Sequence, residues 1–163
     1  MKIGVIADTH DRLPTFRRAI ELFRRLDVAA IFHAGDFVAP FAAQLISPSE
    51  IDIPVHACFG NNDGEREGLQ RTLPQVIDGP VRVTLAQTPI VMGHFIDWLT
   101  PEDRAGARVV ISGHTHAVVN ETRDGVLYLN PGECCGWVND RCTAALLDLS
   151  GPEPAAEIID IRG

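Results

Sequence analysis

The sequence lacks the features of membrane-spanning and secreted chains. No apolar run in its 163 residues approaches the roughly 20 that are needed to cross a bilayer. The N-terminal stretch, MKIGVIADTH, has no charged leader followed by an apolar segment and a cleavage site, so no secretory signal is expected. We therefore expect a cytoplasmic protein with no membrane partner.

The sequence also lacks a cluster of basic residues. Its 14 Lys and Arg residues are scattered among 22 Asp and Glu residues, which gives a formal net charge of −8. Proteins that hold a nucleic-acid backbone usually carry a Lys/Arg patch, so the charge pattern predicts no nucleic-acid partner. A small phosphate ester remains open as a substrate, because bound metal can supply the missing positive charge.

Cysteine is scarce, and its spacing excludes two common kinds of site. The cysteines are Cys58, Cys134, Cys135 and Cys142, and no two of them form a CxxC pair. This spacing excludes a zinc ribbon and a redox dithiol. A strained disulfide between Cys134 and Cys135 is one alternative, and small buried thiols in a reducing compartment are the favoured one.

The first third of the chain predicts a parallel sheet. Hydrophobic residues make up 45% of the sequence and charged residues 22%, which is typical of one ordinary globular domain. Apolar, β-branched runs at residues 2–7, 28–33 and 55–59 predict strands, and helical periodicity follows Pro14 and Pro40. Strands that alternate with helices indicate parallel pairing with right-handed crossovers.

The remainder of the chain predicts more strands and few helices. A short helix is expected at residues 65–71, and the Asp124-Gly125 pair is typical of a hairpin turn. Further strands are predicted at residues 81–85, 90–92, 108–112, 117–121, 126–130, 143–149 and 156–161. We therefore expect a single α/β domain over residues 1–163, with two packed sheets flanked by helices.

Side chains able to bind metal follow several of the predicted strands. They are Asp8 and His10 after the first strand, Asp36 after the second, Asn61 after the third, and His114 and His116 after the strand at residues 108–112. The carboxyl ends of parallel strands line one crevice, where ligands bind. Imidazole, carboxylate and carboxamide ligands without thiolate favour Mn, Fe, Co, Ni or Zn. One carboxylate between two histidine-containing halves would bridge two ions, as in metal-assisted displacement at phosphorus.

These residues stand in motifs that resemble the calcineurin-like metallophosphoesterase superfamily over essentially the whole chain. The motifs are Asp8-Thr9-His10, Gly35-Asp36, Gly60-Asn61-Asn62-Asp63 and Gly113-His114-Thr115-His116, with GNNDGER at 60–66 and NPGECCG at 130–136. The last two are similar to stretches of small single-domain bacterial and archaeal phosphodiesterases. The resemblance implies a four-layer α/β/β/α double β-sandwich that hydrolyses a small phosphodiester.

The resemblance also implies two divalent transition-metal ions, of which manganese is favoured over nickel, iron, cobalt or zinc. The first would be held by Asp8, His10, Asp36 and His116, and the second by Asp36, Asn61 and His114. A water molecule activated between the ions would attack phosphorus in line with the leaving group. No serine or cysteine nucleophile motif is present, so no covalent intermediate is expected.

The sequence departs from the family pattern at two positions. Where the family has a histidine before a glycine, this chain has Met92, whose thioether is a poor ligand for such a site. Either His94 replaces that ligand or the second metal is weakly held. Asn62 stands where many relatives have a histidine, and its amide can bind a phosphoryl oxygen but cannot act as a proton donor.

Several other residues have two interpretations. His33 and His56 lie on predicted strands and are expected in the core, and Asp63 is expected to orient a neighbouring ligand. Arg12 and Arg66 lie beside motif residues and either clamp phosphate or face solvent. Trp98 and Trp137 either line the pocket or simply pack against other side chains of the protein.

A scaffold is the alternative to an enzyme. A subunit of the membrane-trafficking retromer coat has the same fold with a degraded metal site, and Met92 and Asn62 are degradations of that kind. The other six ligand positions are intact in this sequence, which favours the enzyme. The sequence leaves the oligomeric state open, a homo-oligomer included.

Overall fold

The computed structural model describes residues 1–162, which form two β-sheets with helices on their outer faces. Within these residues the α-helices are α1 (Leu13–Arg25), α2 (Pro40–Ala43), α3 (Arg66–Thr72) and α4 (Pro101–Arg104). The strands are β1 (Lys2–Ile6), β2 (Ala30–His33), β3 (Val55–Cys58), β4 (Val76–Ile77), β5 (Val81–Leu85), β6 (Thr88–Met92), β7 (Val109–Ile111), β8 (Val118–Arg123), β9 (Val126–Pro131), β10 (Thr143–Asp148) and β11 (Ala155–Asp160).

The first sheet has the strand order β11-β10-β1-β2-β3-β4. Strands β1 to β4 are parallel, whereas β10 pairs antiparallel with β1 and β11 pairs antiparallel with β10. The parallel strands are joined by helical segments, as the alternating pattern predicts. Their carboxyl ends therefore lie at one edge of this sheet.

The second sheet has the strand order β5-β6-β7-β9-β8. Strands β6, β7 and β9 are parallel, and the edge strands β5 and β8 pair antiparallel with their neighbours. The hairpin between β8 and β9 turns at Asp124-Gly125, where both residues have positive φ, as the sequence predicts.

Three apolar clusters separate the layers. Strand β1 alternates its side chains, so that Ile3 and Val5 face the second sheet while Ile6 faces α1. Gly4 also faces α1, where a Cβ atom would lie 2.6 Å from the ring of Phe23. A third cluster packs Leu99 and its neighbours against the outer face of the second sheet. The predicted α/β/β/α architecture is confirmed.

The structure contains elements that the sequence pattern did not indicate. The two-residue strand β4 is too short to show any alternation. Helix α4 begins at a capping box between Thr100 and Asp103, a local signal that the hydrophobic periodicity does not reveal. Helix α2 ends at Ala43, and a 3₁₀ turn continues it over Gln44–Ile46. No helix within residues 1–162 has both the length and the apolar character needed to span a membrane.

Candidate metal centre

The structure brings all of the residues predicted as metal ligands to one edge of the two sheets. Five of them have left-handed backbone conformations, with φ of 53° at Asp8, 39° at His10, 61° at Asp36, 66° at His114 and 59° at His116. Non-glycine residues seldom adopt this conformation, and it concentrates at functional sites because surrounding contacts must hold it in place. The strand ends are thus bent so that their side chains converge.

The first half of the site joins two histidines and two carboxylates. Nε2 of His10 lies 3.3 Å from Nε2 of His116 and 3.5 Å from Oδ2 of Asp36. Nε2 of His116 lies 3.6 Å from Oδ1 of Asp8. These are the four residues that the family resemblance assigns to the first metal.

The second half of the site is arranged around the side chain of Asn61. Its Oδ1 atom lies 3.0 Å from Nε2 of His94 and 3.0 Å from Nδ1 of His114. Nε2 of His94 also lies 3.4 Å from Oδ2 of Asp36. The same carboxylate oxygen of Asp36 therefore faces a histidine from each half.

Met92 and His94 occupy different environments. Met92 is fully buried in the apolar cluster between the sheets. His94 comes two residues later, beyond the end of β6, where its Nδ1 donates a 2.7 Å hydrogen bond to the carbonyl oxygen of Ala34. That bond turns Nε2 toward the other candidate ligands. The structure thus places His94, and not Met92, beside Asp36 and Asn61.

The hydrogen-bonding pattern of His94 suits a bound cation. Because the Ala34 carbonyl can only accept, Nδ1 of His94 carries a proton, and Nε2 of the neutral ring then presents a lone pair. That lone pair faces oxygen atoms of Asp36 and Asn61, which are also acceptors. Acceptors that face one another need a shared proton or a cation. The mixed donor set fits a divalent transition-metal ion.

The electrostatics of the two carboxylates differ. Burial raises the pKa of Asp8 to about 7, although the nearby His94 and His116 act to lower it. Burial also acts to raise the pKa of Asp36, but hydrogen bonds from His94 and Asn62 hold it below its usual range. Burial lowers the pKa of His94, and its contact with Asp36 more than reverses that effect. A bound cation would favour the ionised form of Asp8 and replace the His94 proton.

Glu133 is part of the site and was not predicted as such. Its side chain is 1% exposed, and its Oε2 accepts a 3.0 Å hydrogen bond from Nδ1 of His116. Burial acts to raise its pKa, but hydrogen bonds from the backbone amides of Val138 and Asn139 and from Cys135 and His116 lower it to about 2. The ionised carboxylate fixes the proton of His116 on Nδ1 and leaves Nε2 free to bind metal. The NPGECCG stretch that contains Glu133 was the available signal.

Asp63 and His33 support the ligand loops from behind. Asp63 accepts hydrogen bonds from the backbone amides of Asp36, Val38 and Gly60, so it holds two of the strand ends together. His33 is fully buried, accepts from the amide of Gly35 and contacts the hydroxyl of Thr9 at 3.1 Å. Burial lowers its pKa to about 3, so it is neutral. His33 is thus confirmed as a satisfied core residue, whereas His56 is only half-buried.

Asn62 lies at the exposed side of the site. Its backbone amide donates to Oδ1 of Asp36 at 2.8 Å, and its side-chain amide donates to Oδ2 of the same carboxylate at 2.8 Å. The side chain is therefore directed at Asp36. The predicted contact between Asn62 and substrate stays a prediction.

The two arginines beside the motifs are engaged within the protein. Arg12 donates to the carbonyl oxygen of Cys135 and lies 4.5 Å over the ring of Trp137. Arg66 forms a 2.5 Å ion pair with Asp78 and lies 4.7 Å over the ring of Phe59. The Arg66 side chain is nonetheless 47% exposed, so the structure agrees with the solvent-facing interpretation for this residue.

The four cysteines are unpaired and buried, which confirms the interpretation as small buried thiols. Cys135 lies near His10 and His116, within reach of a shared ion. Burial raises its pKa to about 12, and its thiol donates to Glu133. A protonated thiol is a poor metal ligand, so the structure gives Cys135 the role of a hydrogen-bond donor.

Comparisons with known proteins identify the family of this chain. Residues 1–151 match the family described as the calcineurin-like phosphoesterase superfamily domain. A phosphodiesterase of Methanocaldococcus jannaschii is 39% identical over 161 residues, which cover 94% of this chain and 96% of that protein. A solved structure of an archaeal phosphodiesterase superposes with a TM-score of 0.83 at 36% identity. The match covers 98% of this chain and 100% of that one.

A more distant structure shares the fold alone. A phosphoesterase from E. coli superposes with a TM-score of 0.75 at 22% identity, over 99% of this chain and 100% of that one. The relatives confirm both the predicted family and the expectation of an enzyme. This chain is therefore a member of the calcineurin-like phosphoesterase superfamily and a hydrolase of the phosphoesterase class.

Proposed function

We propose that this chain is a metal-dependent phosphodiesterase that uses a dinuclear centre to hydrolyse a small phosphodiester by in-line attack of water. One observation carries the proposal. Oδ2 of Asp36 lies 3.5 Å from Nε2 of His10 and 3.4 Å from Nε2 of His94, so one carboxylate faces both halves of the site. A shared carboxylate is the feature that a two-metal centre needs.

The residues divide into two ligand sets. Asp8, His10, Asp36 and His116 would hold the first ion, and Asp36, Asn61, His94 and His114 would hold the second. When bound, divalent ions make water nucleophilic at neutral pH and neutralise charge on the phosphoryl oxygens. Manganese is the proposed metal, and nickel, iron, cobalt and zinc suit the same donor set.

Asn62 is proposed to bind the substrate. Its side-chain nitrogen carries two protons, and one of them is used in the bond to Asp36. The second is available for a phosphoryl oxygen, and Asn62 is exposed. An amide cannot protonate a leaving group, so the enzyme is expected to prefer esters with good leaving groups.

The proposed substrate is small, and the proposed compartment is the cytoplasm. The net charge of −8 opposes a large polyanion but leaves a metal-lined cleft accessible to one phosphate ester. The free, buried cysteines suit a reducing compartment. Neither proposal depends on the oligomeric state.

The proposal is tested by metal-dependent turnover. Protein stripped with EDTA is assayed on bis(p-nitrophenyl) phosphate before and after addition of Mn²⁺ or Ni²⁺. Turnover should require the metal, and Asp36→Asn should lower kcat/KM by at least about 100-fold, since it removes the shared ligand. Asp148→Asn is the matched control, because Asp148 pairs with Lys2 at the amino end of β1, opposite the end that the ligands follow. Absence of turnover with every divalent ion, or an active Asp36→Asn variant, would contradict the proposal.

A scaffold remains the second sequence-based candidate, and the structure offers it little support. A scaffold has no need for the two buried carboxylates that face histidines at this edge. Asp8 is 0% exposed and Asp36 is 1% exposed, and burying acidic groups is costly without a function for them.

A further inference from the structure

We propose that the cavity beside His94 is a subsite for one six-membered aromatic ring that an ester group of the substrate carries, either directly on the ester oxygen or through a sugar. This inference rests on the proposed function, since it assigns a substrate class to the same centre. The cavity has a volume of about 120 Å³. It is lined by Phe59, Arg66, Asp78, Phe95, Trp98 and, at its inner end, His94.

The cavity adjoins the candidate metal centre, and His94 is a wall of both. His94 lines the cavity while its Nε2 lies 3.4 Å from Oδ2 of Asp36, so one side chain belongs to both. The ring of Phe95 lies 3.6 Å from the ring of His114, measured between centroids. A phosphate at the centre would therefore lie next to this cavity, within reach of one of its ester groups.

One wall of the cavity is a stack of aromatic rings. Phe95 and Trp98 stack with centroids 3.9 Å apart and planes inclined by 24°. Trp98 is nonetheless 62% exposed, so much of its indole faces solvent. An exposed aromatic surface at the rim of a cavity favours a ligand that covers it, and a flat ring covers it best.

The lining of the cavity also includes Phe59 and an arginine–aspartate ion pair. Phe59 is buried, and the guanidinium of Arg66 lies 4.7 Å over its ring. Asp78 holds Arg66 in that position through a 2.5 Å ion pair. The guanidinium has more N–H groups than the bond to Asp78 uses, which favours a ring with a hydrogen-bond acceptor over a plain alkyl chain.

The volume limits the occupant to one ring. An apolar cavity of about 150 Å³ accommodates benzene, and this cavity of about 120 Å³ is slightly smaller and open at its rim. A phenyl or pyrimidine ring fits such a space, whereas a fused double ring extends beyond it. The proposed substrate is thus a phosphodiester of either an aryl alcohol or a single-ring nucleoside. Both present a planar ring to the cavity.

Binding measurements with Mn²⁺-loaded protein test the subsite without requiring turnover. Titration calorimetry compares analogues of methyl phenyl phosphate and methyl cyclohexyl phosphate in which a methylene group replaces each bridging ester oxygen, so that neither can be hydrolysed. The two analogues have the same charge and similar size but differ in planarity. The phenyl analogue should bind about tenfold more tightly, as expected from ring stacking. In Trp98→Ala this preference should fall below about threefold, because the exposed half of the stack is gone. A thymidine ester of methyl phosphate then distinguishes a nucleoside from a simple aryl group.

Phe41→Ala is the matched control. Phe41 is also an exposed aromatic residue, at 55%, and it does not line the cavity. This variant should keep the wild-type preference. Equal affinity of the wild type for the phenyl and cyclohexyl analogues, or a preference that survives Trp98→Ala, would overturn the inference. Loss of turnover alone would count against the proposed function and not against the subsite, because the binding comparison stands by itself.

Discussion

Nε2 of His94 lies 3.4 Å from Oδ2 of Asp36, although the two residues come from different sheets. Strand β6 ends at Met92, and the chain continues through Gly93 so that the imidazole reaches the carboxylate that follows β2. A histidine two positions beyond the family's usual one is thus available to complete the second ligand set.

Removal of His94 should empty the second half of the centre. We expect His94→Ala to retain one metal ion per chain after dialysis, where the wild type retains two, and to lose at least about 100-fold in kcat/KM. Met92→Leu is the control, because a volume-conserving change in the core costs less than about 1.5 kcal/mol and leaves the site intact. Elemental analysis measures the metal. If Met92→His raises metal content while His94→Ala changes nothing, His94 is not a ligand.

Glu133 should act by orienting His116. Glu133→Gln keeps the shape but replaces an acceptor by an amide that can donate, so the proton position on His116 is no longer fixed. We expect Mn²⁺ affinity to fall about 10–100-fold, as for other residues that orient metal ligands. Glu153→Gln is the control, since Glu153 is an exposed partner of Arg108. Unchanged Mn²⁺ affinity in a folded Glu133→Gln protein would refute this role.

Alanine substitutions at two glycines should have different effects, one on activity and the other on stability. A Cβ atom at Gly60 would overlap both the backbone nitrogen and Oδ1 of Asp36, so Gly60→Ala should displace that carboxylate. A shift of this kind can cost about 100-fold in activity. A Cβ atom at Gly4 would press on Phe23, so Gly4→Ala should lower the free energy of unfolding by about 1–3 kcal/mol. Folded Gly4→Ala should keep its kcat/KM, and equal activity losses in the two variants would argue against this separation.

The thiols should be unreactive in the native protein. Burial raises the pKa of Cys135 to about 12 and also raises the pKa of Cys58 and Cys134. Thiol reagents attack the thiolate, which is almost absent at pH 8 for such groups. We expect negligible labelling by a disulfide reagent until the protein is unfolded, and then four reactive thiols. Fewer than four after unfolding without reductant would indicate a disulfide.

The sequence allowed most of the strands to be predicted, because buried parallel strands are continuous apolar runs. It also predicted which side chains would converge, since Asp8, Asp36 and Asn61 each follow such a run and the carboxyl ends of parallel strands meet at one edge. The short elements were missed for a different reason. A strand of two residues, such as β4, has no period to detect.

The contributions of His94 and Glu133 could not be derived in the same way. Whether His94 reaches Asp36 depends on how β6 and β7 pair and on the carbonyl of Ala34, which lies 60 residues away along the chain. Glu133 lies in a loop rich in glycine and cysteine, and no periodicity indicates the direction of its side chain. Both depend on tertiary contacts, which a single sequence does not specify.

The central claim is that two divalent ions share Asp36. Calorimetric titration of the EDTA-treated protein with Mn²⁺, followed by electron paramagnetic resonance of the loaded protein, tests it directly. The account predicts two Mn²⁺ ions per chain with the spectrum of an exchange-coupled pair, and loss of that coupling in Asp36→Asn. A wild-type protein that binds a single ion, or two ions with uncoupled spectra, would contradict it.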